Sequence, residues 1–172
     1  MLKALDGIIG YRFKNPDLLK EALSHKSFTS ESRSGICNER LEFLGDSILS
    51  AIVAHQLYLD CPHDDEGNLS KKKAGLVSRP SLARWSADLN LGAYLYLGTG
   101  EENSGGRSRQ SVLGNALEAL IGAIYVDGGY QAAERFIRHW CSKSHRSLKE
   151  TDHKSKLQEL MQKKHRIPPS YE

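Results

Sequence analysis

With 172 residues, 39% of them hydrophobic and 26% charged, the chain fits one globular domain plus a short further segment. A disordered chain is excluded, and no apolar run approaches the roughly 20 residues of a membrane span. Three cysteines with no C-x-x-C pair, and no signal-peptide pattern, point to a soluble, cytoplasmic protein with reduced thiols, while the net charge of +3 is unevenly spread: residues 143–166 hold eight Lys or Arg against three acids, and residues 1–142 hold 16 against 17.

A basic tail beside a nearly neutral domain is what a polyanion-binding appendage looks like, and a solvated charged linker gives the same count. Ahead of it, Leu2 to Ile9 reads as a short helix, and Asn15-Pro16 supplies an N-cap followed by proline at the first helical position of a second helix, expected to reach about Leu23. His25, Lys26 and Ser27 then enter an expected loop that lasts to Cys37, where serines and Gly35 cluster. The next stretch is Asn38-Glu39-Arg40-Leu41-Glu42-Phe43-Leu44-Gly45-Asp46-Ser47, continuing apolar to about Leu59. As a helix it gathers Glu39, Glu42 and Asp46 within an arc of roughly 60°. Leu41, Leu44, Ile48 and Ile52 form an apolar stripe on the other side, expected to anchor the helix in a core. Phe43, Leu49 and Val53 lie close in angle to the acids, so the helix is expected to be covered on both sides. Three like charges at this spacing repel. The spacing alone leaves two readings open: a solvated face with Arg40 as counter-charge, or a face that holds a divalent cation such as magnesium, which favours carboxylate oxygens and keeps waters for a phosphate substrate.

Pro62 and Gly67 close that helix off, and the acidic loop with Cys61, His63, Asp64 and Asp65 lacks a second cluster that would complete a metal site. Helices are expected over Leu69 to Leu76, carrying Lys71, Lys72 and Lys73, and from Pro80 to about Leu89, with Leu82, Trp85 and Leu89 in the core. The glycine-rich run from Gly98 to Gly106 has neither the dinucleotide nor the phosphate-loop spacing and follows no strand. It reads as a surface loop with Arg107 and Arg109 at its far end. Ser111 is expected to cap an apolar helix that reaches Asp127 and stops at Gly128-Gly129. Asn115 and Glu118 share one of its faces, and a carboxylate on so apolar a helix needs a partner. The acidic face of the earlier helix, bridged by a metal, would be one. A final helix from about Gln131 to His145 turns Phe136, Ile137 and Trp140 inward. No strand-like alternation appears before it, so the expected class is all-α.

The decapeptide from Asn38 to Ser47 resembles the signature of the ribonuclease III family, endonucleases that cut double-stranded RNA. Residues 22–27, 67–70, 97–101 and 117–123 are similar to family segments, in the family's order. The resemblance implies an endonuclease helical bundle over residues 1–146, a linker over 147–153, and over 154–172 an N-terminal fragment of an α+β double-stranded-RNA-binding domain, too short to fold as that domain. It also implies a homodimer whose two-helix carboxylate sites hold magnesium, with manganese as a substitute. Water is thereby activated against a backbone phosphodiester, leaving 5′-phosphate and 3′-hydroxyl ends in the processing of rRNA and other RNA.

Carried over residue by residue, the resemblance makes Glu42 and Glu118 direct metal ligands, Asp46 the acid that completes the cluster, and Glu39 an acid turned toward the substrate. Glu39, Asp46 and Glu118 are the expected catalytic residues. Where the family pattern usually has aspartate, this chain has Asn115, whose amide oxygen can ligate magnesium but brings no charge. A working variant is favoured, because the other four acids remain. The other class of reading is a family member that binds duplex RNA without cutting it, or supports a ribosome or processing complex. His25, Lys26, Glu66, Arg107, Arg109, Gln158 and Glu159 are the expected RNA contacts, and Phe43 the expected dimer contact, since a large apolar residue beside acids favours a partner surface. Duplex RNA is read largely by shape, phosphate and 2′-hydroxyl.

Overall fold

Among residues 2–32 and 35–151, which the computed structural model describes, the chain is all-α: α1 (Leu2–Ile9), α2 (Pro16–Ala22), α3 (Lys26–Ser32), α4 (Glu39–Asp60), α5 (Glu66–Leu76), α6 (Arg79–Asp88), α7 (Thr99–Asn103), α8 (Gln110–Gly128) and α9 (Tyr130–Thr151). Two 3₁₀ turns, Leu91–Tyr94 and Gly106–Ser108, lie between α6 and α8. One isolated parallel bridge joins Ser24 to Tyr96. No described helix is long and apolar enough to cross a membrane. The last turns of α9 cover the start of the expected linker, and the expected RNA-binding fragment from residue 154 lies outside the described residues.

The bundle is built around α8. Ala116, Leu117, Ala119, Leu120, Ile121, Ala123 and Ile124 are all fully buried. A helix apolar over most of its surface has to be enclosed by others, and α4, α6, α9 and α2 pack on it. Each large aliphatic side chain withdrawn from water contributes about 1.5–3 kcal/mol. Trp85 of α6 stacks on Phe136 and Trp140 of α9, with ring centroids 4.9 and 4.3 Å apart, which joins α6 to α9. Asp127, at the end of α8, accepts hydrogen bonds from Tyr11 Oη (2.7 Å), Lys14 N (2.8 Å) and Asn15 N (2.9 Å), so it fastens the segment that leads into α2. There Asn15 caps α2 through Asp17 N.

Two glycines set how closely α4 and α8 approach. A Cβ at Gly45 would run into the carbonyl oxygen of Glu118, and one at Gly122 would run into the carbonyl oxygen of Leu41. The helices therefore touch backbone to backbone, an approach only glycine allows.

That contact sets the orientation of α4. The buried face is Leu41, Gly45, Leu49, Ile52, Val53 and Leu57, while Leu44 and Ile48 are only half-buried. Leu41 and Ile52 of the expected stripe are thus in the core together with Leu49 and Val53 from beside the acids, so the helix is covered on both sides as expected, with the closest approach to α8 beside the acids. Other boundaries differ for local reasons. The segment after His25 is not a loop throughout: the His25 carbonyl accepts from Phe28 N and Thr29 N and starts α3. Asp65 caps Asn68 N at 2.8 Å, so α5 begins at Glu66 rather than Leu69. Ser111 lies inside α8 and caps nothing, because the helix opens after Arg109. The Gly98 segment contains a helical turn, α7, whose first amide, Thr99 N, is held by the Glu31 carboxylate at 3.0 Å.

Candidate active site

The close approach at Gly45 and Gly122 brings the acidic face of α4 against the one polar face of α8. Gly45 immediately precedes Asp46, and Gly122 lies one turn beyond Glu118. Between the helices opens a cleft of about 480 Å³ lined by Lys26, Glu39, Glu42, Phe43, Asp46, Asn115 and Glu118. Four carboxylates from two helices, one amide and one ammonium thus share a single depression.

Their electrostatics differ by depth. Glu39, half exposed at the rim, pairs with Lys26 at 3.3 Å and accepts from Cys37 Sγ at 3.7 Å. Glu42 is raised from its ordinary value, by burial first and by Glu39 second; a hydrogen bond from the Asn115 side chain, and the charges of Lys26 and Arg79, act against the rise. The deepest carboxyl is Glu118, pushed up to about 7 by burial and then by repulsion from Asp46 and Glu42, with Arg79 opposing. A carboxyl that titrates near neutrality among like charges marks a site short of positive charge.

A small divalent cation suits that deficit. Among the described residues no three His, Cys, Asp or Glu side chains close on a common point by themselves. Glu42, Asp46, Glu118 and the Asn115 amide oxygen are the donors that would hold the cation, and magnesium typically takes one or two carboxylates and keeps waters. Asn115 explains its own presence here: as an amide it donates to Glu42 and lowers that carboxyl, whereas an aspartate would add a fifth charge to the repulsion.

The other expected residues are scattered. His25 lies at the start of α3 beside Lys26, its Nδ1 2.8 Å from Ser27 Oγ. Burial depresses it first; Glu101 raises it, Lys26 lowers it further, Glu39 raises it and Arg109 lowers it, leaving it below the ordinary histidine value. Glu66 is exposed in the first turn of α5 and accepts from Ser70 Oγ at 2.8 Å. Arg107 bonds Glu102 (2.6 Å) and the carbonyls of Gly92 (2.8 Å) and Leu95 (2.9 Å). Arg109 bonds Glu101 (2.5 Å) and Ser104. Both guanidinium groups hold the α7 segment together. Lys72 of α5 pairs with Asp64 of the loop after α4 at 2.5 Å and lies 3.3 Å from Cys61 Sγ. Phe43 stands 78% exposed at the edge of the acidic cleft. Gln158 and Glu159 lie outside the described residues. Sequence reasoning did not single out Arg79, whose charge reaches Glu42 and Glu118 only because α6 packs on α8.

The ribonuclease-III-like family profile matches residues 15–145. The chain is 44% identical to ribonuclease 3 of Buchnera aphidicola (subspecies Acyrthosiphon pisum, strain Tuc7), over 98% of this chain and 74% of that protein. It is also 44% identical to ribonuclease 3 of Oleidesulfovibrio alaskensis, over 99% of this chain and 77% of that protein. Among solved structures, the nuclease domain of ribonuclease III from Campylobacter jejuni, described for flexibility in a region involved in dimer formation, superposes with a TM-score of 0.79. It is 40% identical, and the match covers 83% of this chain and 97% of that one. Dicer from Pichia stipitis is similar at a TM-score of 0.59 and 28% identity, over 82% of this chain and 59% of that one.

Proposed function

The chain belongs to the ribonuclease III family of endoribonucleases, and on that premise we propose that it is a magnesium-dependent endonuclease that cuts double-stranded RNA to 5′-phosphate and 3′-hydroxyl ends. The observation that carries this reading is the meeting of Glu42 and Asp46 from α4 with Asn115 and Glu118 from α8 around one cleft. Bound there, magnesium, or manganese in its place, supplies a Lewis acid for the phosphodiester and lowers the pKa of water toward neutrality. Glu42, Asp46, Asn115 and Glu118 would hold the cation. Glu118, whose carboxyl is pushed up to about 7 by burial and by the neighbouring acids, would bind the cation as the carboxylate. Glu39, kept at the rim by Lys26, orients the substrate side of the cleft. His25 and Lys26, adjacent at the start of α3, meet the phosphate backbone, and Glu66 approaches from α5. Ribosomal and other structured transcripts in the cytoplasm are the substrates this reading implies.

The same reading makes the active form a homodimer. Beside the acidic cleft lies a second cleft of about 660 Å³, lined by Leu18, Leu41, Phe43, Leu44 and Val126 with three charged residues at its edge. A two-fold axis would seat each exposed Phe43 in the partner's apolar cleft and set two acidic clefts along one duplex. Phe43→Ala should therefore weaken dimerisation on the order of a hundredfold, the scale of a buried aromatic hot spot. Sedimentation velocity across a dilution series reads this directly, and an unchanged dimer would remove Phe43 from the interface.

The whole reading is tested by cleavage of a long RNA duplex at low salt against magnesium concentration, for the parent and Asn115→Asp. Low salt matters because phosphate contacts weaken steeply as salt rises. The parent should cut, and Asn115→Asp should reach half-maximal activity at lower magnesium because the added carboxylate attracts the ion. A silent parent beside an active Asn115→Asp would make this a disabled nuclease. Binding without cleavage by both would make it an RNA-binding member of the family.

A further inference from the structure

Arg79 has no role in the scheme above, yet its position is specific. It is the first residue of α6, and α6 is pinned to α8 by the buried Ser86 hydroxyl donating to the Leu113 carbonyl at 2.6 Å. A methyl group at Gly114 would lie 3.8 Å from Leu82 Cβ and 3.9 Å from Arg79 Cγ. The stem of Arg79 thus runs along α8 at Gly114, one residue before Asn115 and one helical turn before Glu118. Its side chain is exposed and makes no hydrogen bond or close ion pair among the described residues. In that it differs from Arg107 and Arg109, whose guanidinium groups are already engaged. Its charge nevertheless reaches both Glu42 and Glu118.

Lys26, on α3, is a second cation near the acids and is paired with Glu39. The carboxylates accordingly have two cations near them, carried by different helices. A polyanion laid across four acids is repelled wherever the bound cation does not reach, so phosphates on either side of the scissile one need positive charge of their own. An exposed guanidinium with its stem against α8 and its donors free is suited to that, because its planar fork matches two phosphate oxygens.

We propose that Arg79 binds a backbone phosphate of the duplex on the α6 side of the acidic cleft, adjacent to the phosphate being cut. The assignment rests on the duplex-cutting reading above and adds to it a contact that fixes where the strand runs. It differs in consequence from the simpler role of a counter-charge for Glu42 and Glu118. Loss of a phosphate contact weakens RNA binding and lowers its salt dependence, whereas loss of a counter-charge strengthens magnesium binding and leaves RNA binding alone.

The experiment compares the parent, Arg79→Gln and Arg79→Lys in the whole chain, with a long RNA duplex as probe. Gel-shift titrations without divalent ions across a salt series are paired with cleavage kinetics in magnesium. For Arg79→Gln the expected result is binding weaker on the order of tenfold at low salt, and a log-log salt slope shallower by about one unit. KM should rise while kcat holds, and Arg79→Lys should recover most of the loss. Unchanged affinity and slope in Arg79→Gln, with less magnesium needed for half-maximal activity, would overturn the proposal in favour of the counter-charge. A parent that neither binds nor cuts the duplex would refute the duplex-cutting reading itself, and this assignment with it.

Discussion

Glu118→Gln should reduce magnesium-dependent cleavage of duplex RNA on the order of a thousandfold or more, because it removes the deepest charged donor from the cleft. The same change should make the metal-free protein more stable at alkaline pH. Burial, then Asp46 and Glu42, push the Glu118 carboxyl up to about 7 from an ordinary 4.5, so the folded chain favours its protonated form. The stability this group contributes is therefore fully present below about pH 4.5 and is lost as pH rises through about 7. Glutamine mimics the protonated carboxyl and escapes that loss. With solvent screening of a partly exposed group discounted, the gain at about pH 8 should be on the order of 1–2 kcal/mol, or several degrees in Tm for a domain of this size. Near pH 4.5 the two proteins should melt together. Magnesium should raise the Tm of the parent at pH 8 and that of Glu118→Gln far less. Thermal melts with and without the ion, run beside the cleavage assay, check both halves; equal melting at pH 8 would mean that Glu118 is not strained by its neighbours.

Gly45→Ala should be among the most damaging single-methyl changes in the chain. In a helix interior alanine is ordinarily favoured over glycine by about 1 kcal/mol. Here its Cβ would overlap the Glu118 carbonyl oxygen and lie 2.9 Å from Gly122 N, so α4 and α8 must separate. Backbone cannot step aside as a side chain tip can. The expected loss is about 3 kcal/mol or more, with Tm lower by roughly 6–12 °C. Because the clash lies between Asp46 and Glu118, the separation should also raise the magnesium needed for activity. Gly122→Ala, facing the Leu41 carbonyl from the other helix, should behave alike. Gly75→Ala is the control: nothing lies within 4 Å of a Cβ there, on α5, and the change should stabilise by a few tenths to about 1 kcal/mol. If Gly45→Ala melts like Gly75→Ala, the close helix approach is not what assembles the site.

How much of this was legible beforehand follows from how far each interaction reaches along the chain. The helical class, the Asn15-Pro16 start of α2, the glycine stop of α8 and the shared face of Glu39, Glu42 and Asp46 depend on neighbours within a turn or two, and sequence spacing carries them. So does the pairing of Asn115 with Glu118 on one face of an apolar helix. Where local signals competed, spacing failed. The serine-rich segment after His25 read as a loop, but α3 forms there because the His25 carbonyl starts it, and the Glu31 carboxylate ties it to Thr99 far along the chain.

The sequence by itself determined that this protein is a helical bundle carrying a carboxylate row on one helix and a lone buried-side glutamate on another, because periodicity and capping are local. Only the tertiary structure decided which face of α4 enters the core, and that the charges of Lys26 and Arg79 reach the acids. Leu41, Leu44, Ile48 and Ile52 make the better apolar stripe by spacing. Gly45, which counts for nothing in hydrophobic patterning, decides instead, since the absence of its side chain lets α8 dock beside the acids and bring Glu118 to them. That preference belongs to the pair of helices and to neither alone.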